Sequence, residues 1–296
     1  MLILFEFMGG AGDGMFGIAI LLVLGSGFLH SAWNLYTKKS LNKNVFLWFC
    51  QLVAVIAFLP WTILEWDGGQ WNGTGILIVL ASMLLHGLYV ILLAAAYSAG
   101  DLSQVYPIMR GTSPLLVPLL AVIFLQEQLS LIGWLGVVSI VLGIVLLSDV
   151  KFKRDGLSSS KAPLLALAVG VCIAGYIIVD KIALDYVSPV VLNEATNIGN
   201  LLILSWVTFR SGAIRQELQV NWKIMLLGGI IAPGGYLLFL YALSLAPVAQ
   251  LSPMREIGTV FGTLMGIFIL REKQGKRRIL TSLCITAGVV VLGIWG

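Results

Sequence analysis

Charged residues are scarce in this 296-residue chain: Asp, Glu, Lys and Arg make up 11% of it, against about 25% in an ordinary soluble domain. Histidine occurs twice and cysteine three times. Each shortage excludes something. Cys50, Cys172 and Cys284 fall singly inside apolar runs, without a Cys-x-x-Cys spacing, so they read as small core residues rather than a disulfide framework or metal site. No Ser-His-Asp set can be assembled, and no Lys-Ser/Thr follows the glycines of residues 9–14 to make a phosphate loop. Gly10-Ala11-Gly12-Asp13 has the letters of an intramembrane aspartyl protease motif, but no second aspartate lies mid-span. The first apolar stretch lacks the basic lead of a cleaved signal peptide. What is abundant is apolar: 59% of residues, with a mean hydropathy of +0.98. A water-soluble fold of this size cannot hide so much apolar side chain, which excludes most soluble enzymes and nucleic-acid binders and favours a polytopic membrane protein.

Apolar runs of about 20 residues, each long enough as a helix to cross about 30 Å, recur along the whole chain. The expected spans are 16–37, 44–65, 73–98, 102–125, 129–148, 163–184, 188–210, 222–244, 247–270 and 276–295. The fold class expected is thus all-α, with ten transmembrane helices. Basic residues set the orientation. Lys38, Lys39 and Lys43 follow the first span, Lys151, Lys153, Arg154 and Lys161 the fifth, Arg210, Arg215 and Lys223 the seventh, and Arg271, Lys273, Lys276, Arg277 and Arg278 the ninth. All fifteen lie on one side, with Lys181 alone near the other, so both termini are expected to face away from the cytoplasm.

The chain also repeats itself. Gly27–Lys38 aligns with Gly170–Lys181 without a gap, which matches Trp33 with Tyr176. Gln104 and Pro107 align with Gln250 and Pro253, and Arg110 aligns with Arg255 after a one-residue deletion. From each arginine it is 17 residues to an acidic residue, Glu127 or Glu272. The expected organisation is a tail at 1–15, a first five-helix repeat at 16–148, a basic linker at 149–162 and a second repeat at 163–296. Five spans per half is odd, so the second half enters the membrane upside down, the architecture of an alternating-access carrier.

These residues resemble the EamA-type family of the drug/metabolite transporter superfamily. His30, Trp33, Asn34 and Lys38 look like the start of such a half, and the run from Pro107 through Arg110 to Pro114, continued by Phe124–Glu127, looks like its core. Pro253-Met254-Arg255 through Glu272 is the weaker copy. The resemblance implies export of amino acids, metabolites or drugs. It departs in one respect: such proteins usually keep both termini in the cytoplasm.

Arg110 and Arg255 each lie about eight residues, hence about 12 Å, into a span. An arginine at mid-bilayer costs at least about 2.5–3.5 kcal/mol, so something must offset it. The readings are a pair of cations flanking a central cavity, or two structural pairings. Glu194 and Glu256 are the expected counter-charges. Glu194 begins a polar stripe with Asn197 and Asn200, beside Asn193, its counterpart in the first half being Gln51. It reads as ammonium-binding, proton-carrying, or interhelical glue. His30, Asn34, Tyr89, Tyr236, Gln104 and Gln250 are candidate cavity lining, and Trp33 and Tyr176 candidate stacking platforms. His86, and the span-end residues Lys38, Asp180 and Lys181, read as structural or solvated. Gly258, Gly262 and Gly266 read as a helix-packing face.

The expected function is a secondary transporter of small metabolites, amino-acid-like zwitterions or organic anions, working by alternating access. The rival is a flippase for a lipid-linked phosphate headgroup. A third class, an intramembrane enzyme or receptor, has no catalytic constellation here. The expected partners are a small-molecule substrate and membrane lipids, with no nucleic acid, metal or cofactor. A homodimer is left open.

Overall fold

Lipid offers no partner for backbone N–H and C=O groups, so long apolar runs must satisfy them internally, as helices. In the computed structural model, which describes residues 11–37, 40–66, 72–99, 102–147, 161–268 and 276–296, every regular element is helical. In chain order these are α1 Ala11–Thr37, α2 Lys43–Leu64, α3 Gly73–Ala99, α4 Leu102–Phe124, α5 Leu131–Leu147, α6 Lys161–Ala183, α7 Pro189–Arg210, α8 Ile214–Leu245, α9 Val248–Met254, α10 Ile257–Phe268 and α11 Lys276–Trp295. Six of them, α1, α2, α3, α6, α7 and α8, hold stretches long and apolar enough to cross a membrane, and shorter apolar stretches occupy 108–124, 131–146 and 279–295.

Local chemistry sets several boundaries. Asn42 caps α2 by accepting from the amides of Asn44 and Val45 at 3.1 and 3.3 Å. Ser188 precedes Pro189 at the start of α7 and accepts from Val191 N–H, the arrangement favoured at helix starts. Three spans differ from expectation. The first begins at Ala11 rather than 16, inside the expected tail. The eighth begins at Ile214 rather than 222, because its polar first turns are tied down by Glu217. The ninth is two helices, α9 and α10, interrupted at Arg255 and Glu256.

The solvent pattern is inverted relative to a soluble protein. Leu64, Leu77, Leu84, Phe124, Leu131 and Leu202 stand on the outside, while Asp180, Asn193, Glu194, Asn197 and Glu256 are buried. An apolar skin around a polar interior is what a lipid solvent selects.

Neither half owns its core. The strongest packings cross between halves: α5 on α11, α3 on α6, α1 on α8, α4 on α6, α2 on α7, α2 on α8, and α1 on α10. Exchanging each helix for its repeat equivalent turns α3–α6 into α8–α1 and α4–α6 into α9/α10–α1. It maps α2–α7 and α5–α11 onto themselves. Small residues allow the close approaches. A Cβ on Gly288 would sit 2.6 Å from the carbonyl oxygen of Gly136, and one on Gly258 2.9 Å from that of Gly27.

Candidate functional site

The α9–α10 break organises the centre of the bundle. Pro253 lacks an N–H and its ring disfavours a continuing ladder. Around it the helix tightens: Glu256 N–H donates to Pro253 C=O at 3.0 Å, Gly258 N–H to Arg255 C=O at 3.1 Å and Thr259 N–H to Glu256 C=O at 2.9 Å. This joint sends the two neighbouring charges in different directions. Glu256, 6% exposed, meets Arg110 of α4 in an ion pair of 2.8 Å. Arg255 Nε donates to Ser26 Oγ on α1 at 3.0 Å. Its guanidinium lies 4.5 Å from the ring centre of Phe239 and 5.3 Å from that of Tyr236, a cation–π arrangement. Among the described residues no carboxylate oxygen lies within 4.0 Å of Arg255. His30 stands within electrostatic reach of both arginines.

Beside the arginines lies a second polar cluster, centred on Asp180 of α6. Its carboxylate is fully buried. It accepts from the hydroxyls of Ser82 and Tyr236 and lies 3.0 Å from His86 Nε2. His86 packs on the ring of Tyr176 at 4.0 Å and 30°, with Tyr89 5.8 Å and Tyr236 6.3 Å from Tyr176. Tyr236 joins the clusters: its hydroxyl serves Asp180 and its ring underlies Arg255. Seven groups from α3, α6, α8 and the break thus form one wall of aromatic faces and hydrogen-bonding heads.

Asp180 and Lys181 correct the sequence expectation. A position at the end of an apolar run suggested solvation, but α3 and α8 cover this end of α6. Lys181 Nζ donates to the carbonyls of Leu243 and Ala246, the C-terminal carbonyls of α8, where a cation is favoured. A signal for Asp180 existed: Ser82 and His86 sit four apart on one face of the third span, opposite a lone aspartate in an apolar run.

The other expected residues are scattered. Trp33, matched in sequence with Tyr176, lies elsewhere: it stacks on Phe46 at 5.5 Å in an apolar cluster with Cys50 and Met225, tight against Gly228. Gln250 lies on α9 against the C-terminal Gly296, lining a shallow cleft with Phe16 and Pro247 at one end of the bundle. Glu194 makes no ion pair with either arginine. It and Asn197 are buried on α7, each with polar atoms that meet no hydrogen-bond partner. The side chains of Asn34 and Gln104 lie outside the described residues, as do Lys38 and Glu272.

Two carboxylates clasp helix N-termini in the opposite half. Glu127 accepts from the amides of Val248 and Ala249 at 3.0 and 2.8 Å, capping α9. Glu217, which sequence reading passed over, accepts from Leu41 and Asn42 N–H at 3.2 and 2.6 Å and from Asn221 Nδ2 at 2.6 Å. Orphan amides at a helix start favour an anion there.

With the geometry described, comparison with known proteins decides the family. Residues 17–149 and 160–294 each match the EamA-like transporter family. The chain belongs to that family. It is similar to the glucose uptake protein of Bacillus subtilis strain 168, 31% identical over 209 residues that cover 65% of this chain and 69% of that one. A Listeria monocytogenes protein named for sugar uptake is 23% identical over 209 residues, 68% of this chain and 70% of that one. A solved crystal structure superposes with a TM-score of 0.76 at 14% identity, covering 92% of this chain and 95% of the other, so the fold is shared. This EamA-like protein is a multi-pass membrane transporter and not an enzyme.

Proposed function

We propose that this transporter works by alternating access, carrying small polar metabolites through the wall built around Tyr236. In this reading ten spans form two inverted halves, 16–148 and 163–296, joined by the basic linker 149–162, in a bacterial inner membrane with both termini outside. The reciprocal helix pairings support it, since a carrier whose halves exchange roles needs the same contacts available twice.

The observation that carries the substrate class is the state of the central charges. Arg110 is neutralised by Glu256 at 2.8 Å, and Asp180 is held by Ser82, His86 and Tyr236. The wall therefore offers hydrogen-bonding heads and flat aromatic faces more than free charge. That suits a neutral, hydroxyl-rich solute such as a hexose, and relatives of this chain are named for sugar and glucose uptake. Arg255 supports a second reading. Resting on aromatic rings with no carboxylate of the described residues within 4.0 Å, it suits the carboxylate of an amino-acid-like zwitterion or an organic anion. A lipid-linked phosphate would use the same arginine and would further need the wall to open to the bilayer.

The test is flux in liposomes containing the purified protein, with labelled glucose, a neutral amino acid, a dicarboxylate and a phosphate-headgroup lipid offered in turn. Saturable glucose flux that survives Arg255→Ala with a changed KM is expected. Flux of the amino acid or dicarboxylate alone, lost in Arg255→Ala, establishes the second reading, and lipid scrambling alone establishes a flippase. No saturable flux of any kind removes the carrier proposal. Labelling Ser40→Cys and Gln70→Cys from each side of intact cells tests the orientation: reaction of position 40 from outside reverses it.

A further inference from the structure

Two buried carboxylates occupy this bundle in opposite conditions. Asp180 is surrounded by three partners. Glu194, 2% exposed, has no hydrogen-bond partner for either oxygen. Asn197 on the same face has its amide directed toward that carboxyl group without meeting bonding geometry. The condition extends to the neighbours. Among the described residues seven buried side-chain polar atoms of Glu194, Asn193, Asn197, Asn200 and Gln51 have no hydrogen-bond partner. Interhelical glue would have joined these groups to one another. They instead stay buried with polar atoms unmatched, and Glu194 is a carboxylate with no cation to balance it. A buried anion is tolerated only when paired or neutralised.

We propose that Glu194, with Asn193, Asn197, Asn200 and Gln51, forms a binding site for a monovalent cation, H⁺ or Na⁺, that drives the carrier. The donor set fits. One carboxylate supplies a single balancing charge, and amide oxygens supply hard neutral ligands for Na⁺ or polar surroundings for a proton. A divalent ion would ask for more carboxylates, and the described residues hold no group of three or more His, Cys, Asp or Glu side chains suited to a metal. The position fits as well. Asn193, Glu194, Asn197 and Asn200 lie on α7, and Gln51 lies on α2, the pairing that the repeat exchange maps onto itself. Occupancy there bears on both halves at once.

Among the described residues no cationic side chain forms an ion pair with Glu194. The elements packed on α7 are α2, α3 and α8. On α3, His86 is committed to Asp180, and Tyr89 sets its ring edge-on to Tyr176. On α8, Tyr236 is committed to Asp180, Glu217 to Leu41, Asn42 and Asn221, and Tyr241 lies 3.3 Å from Glu65, while Arg215 and Lys223 belong to its early turns. On α2, Lys43 begins the helix, Glu65 follows its end, and Cys50 Sγ points to the Met225 carbonyl. None of these forms an ion pair with Glu194.

Only the coupling role rests on the transporter reading; binding of the cation is measured without a substrate. Purified full-length protein is melted at mildly alkaline pH in choline chloride. The melts are repeated with Na⁺ in place of choline, at mildly acid pH in choline, and with methylammonium in place of choline. Na⁺ or acid is expected to raise the melting temperature saturably, and which one acts identifies the ion. Glu194→Gln is expected to abolish that response, and Asn197→Ala to weaken the apparent affinity by about tenfold or more. The proposal is overturned if the wild type responds to neither ion, if the response survives in Glu194→Gln, or if methylammonium alone acts. Should Glu194→Gln fail to fold, unchanged responses in both Asn197→Ala and Asn200→Ala overturn it equally. In liposomes, Glu194→Gln is expected to keep glucose exchange and lose gradient-driven accumulation. A wild type that binds the cation but moves no glucose overturns the sugar reading and leaves this site standing.

Discussion

The same stretch of sequence occurs twice, and the two copies fold differently. In the first, α4 runs unbroken from Leu102 to Phe124 through Pro107 and Arg110. In the second, the chain stops after Met254 and restarts at Ile257. Proline alone does not decide this, since both copies have one. The copies differ just past the arginine: Gly111 and Ser113 in α4 stand where the second copy has Glu256 and Gly258. At the break Glu256 faces Arg110 of the other copy, in an ion pair of 2.8 Å. Gly258 lets the restarted helix sit directly on the backbone of α1, where Ser31 Oγ donates to its carbonyl. The broken copy supplies the anion, the unbroken copy the cation, and one buried pair ties them. Duplication thus provides matching parts, and later asymmetry lets one part complete the other.

That contrast can be broken most forcefully at Glu256. Glu256→Ala strands Arg110 in the interior and is expected to cost about 3–5 kcal/mol, read as a fall in melting temperature with loss of transport. The double variant Arg110→Met, Glu256→Met should regain most of the stability but none of the transport. A single variant that melts like the wild type would show that the pair does not tie the copies. Next comes Gly258→Ala. Its Cβ would meet the Gly27 carbonyl at 2.9 Å, an overpacking of about 1–3 kcal/mol that a denaturation curve would report. Glu127→Ala removes the cap on the broken copy and should cost about 0.5–2 kcal/mol, with faster amide exchange at Val248 and Ala249 than in the wild type. The smallest effect is at the unbroken copy. A Cβ on Gly111 finds only Val145 Cγ2 at 3.8 Å, so Gly111→Ala should be neutral or stabilise by up to about 1 kcal/mol. Equal losses at Gly111 and Gly258 would mean that the two helices are packed alike.

Much of the fold was legible because hydropathy reports the solvent directly: a run of apolar residues states where lipid must be. The intramembrane arginines were legible for the same reason, as charges where none is cheap. Asp180 was less so. Its run ends there, and the one hint, Ser82 and His86 four apart on the third span, does not tell that α3 and α8 fold back to cover it, with Tyr236 as a further partner. Trp33 and Tyr176 show the limit of repeat logic. They occupy matching positions, yet one packs with Phe46 and Gly228 and the other with His86, because the neighbours that surround them are not matched. Glu194 was conspicuous in the sequence as the head of a polar stripe. That its oxygens are left without partners is visible only once the facing helices are in place.

Composition and periodicity alone determined that this chain lives in lipid, is helical and is built twice, since each follows from properties that residues carry individually or at fixed spacing. Which carboxylate met which cation, where the ninth span broke and which buried polar groups were left without a partner were decided only in three dimensions. Those outcomes depend on what an adjacent helix presents at the same depth, and separation along the chain holds no record of it.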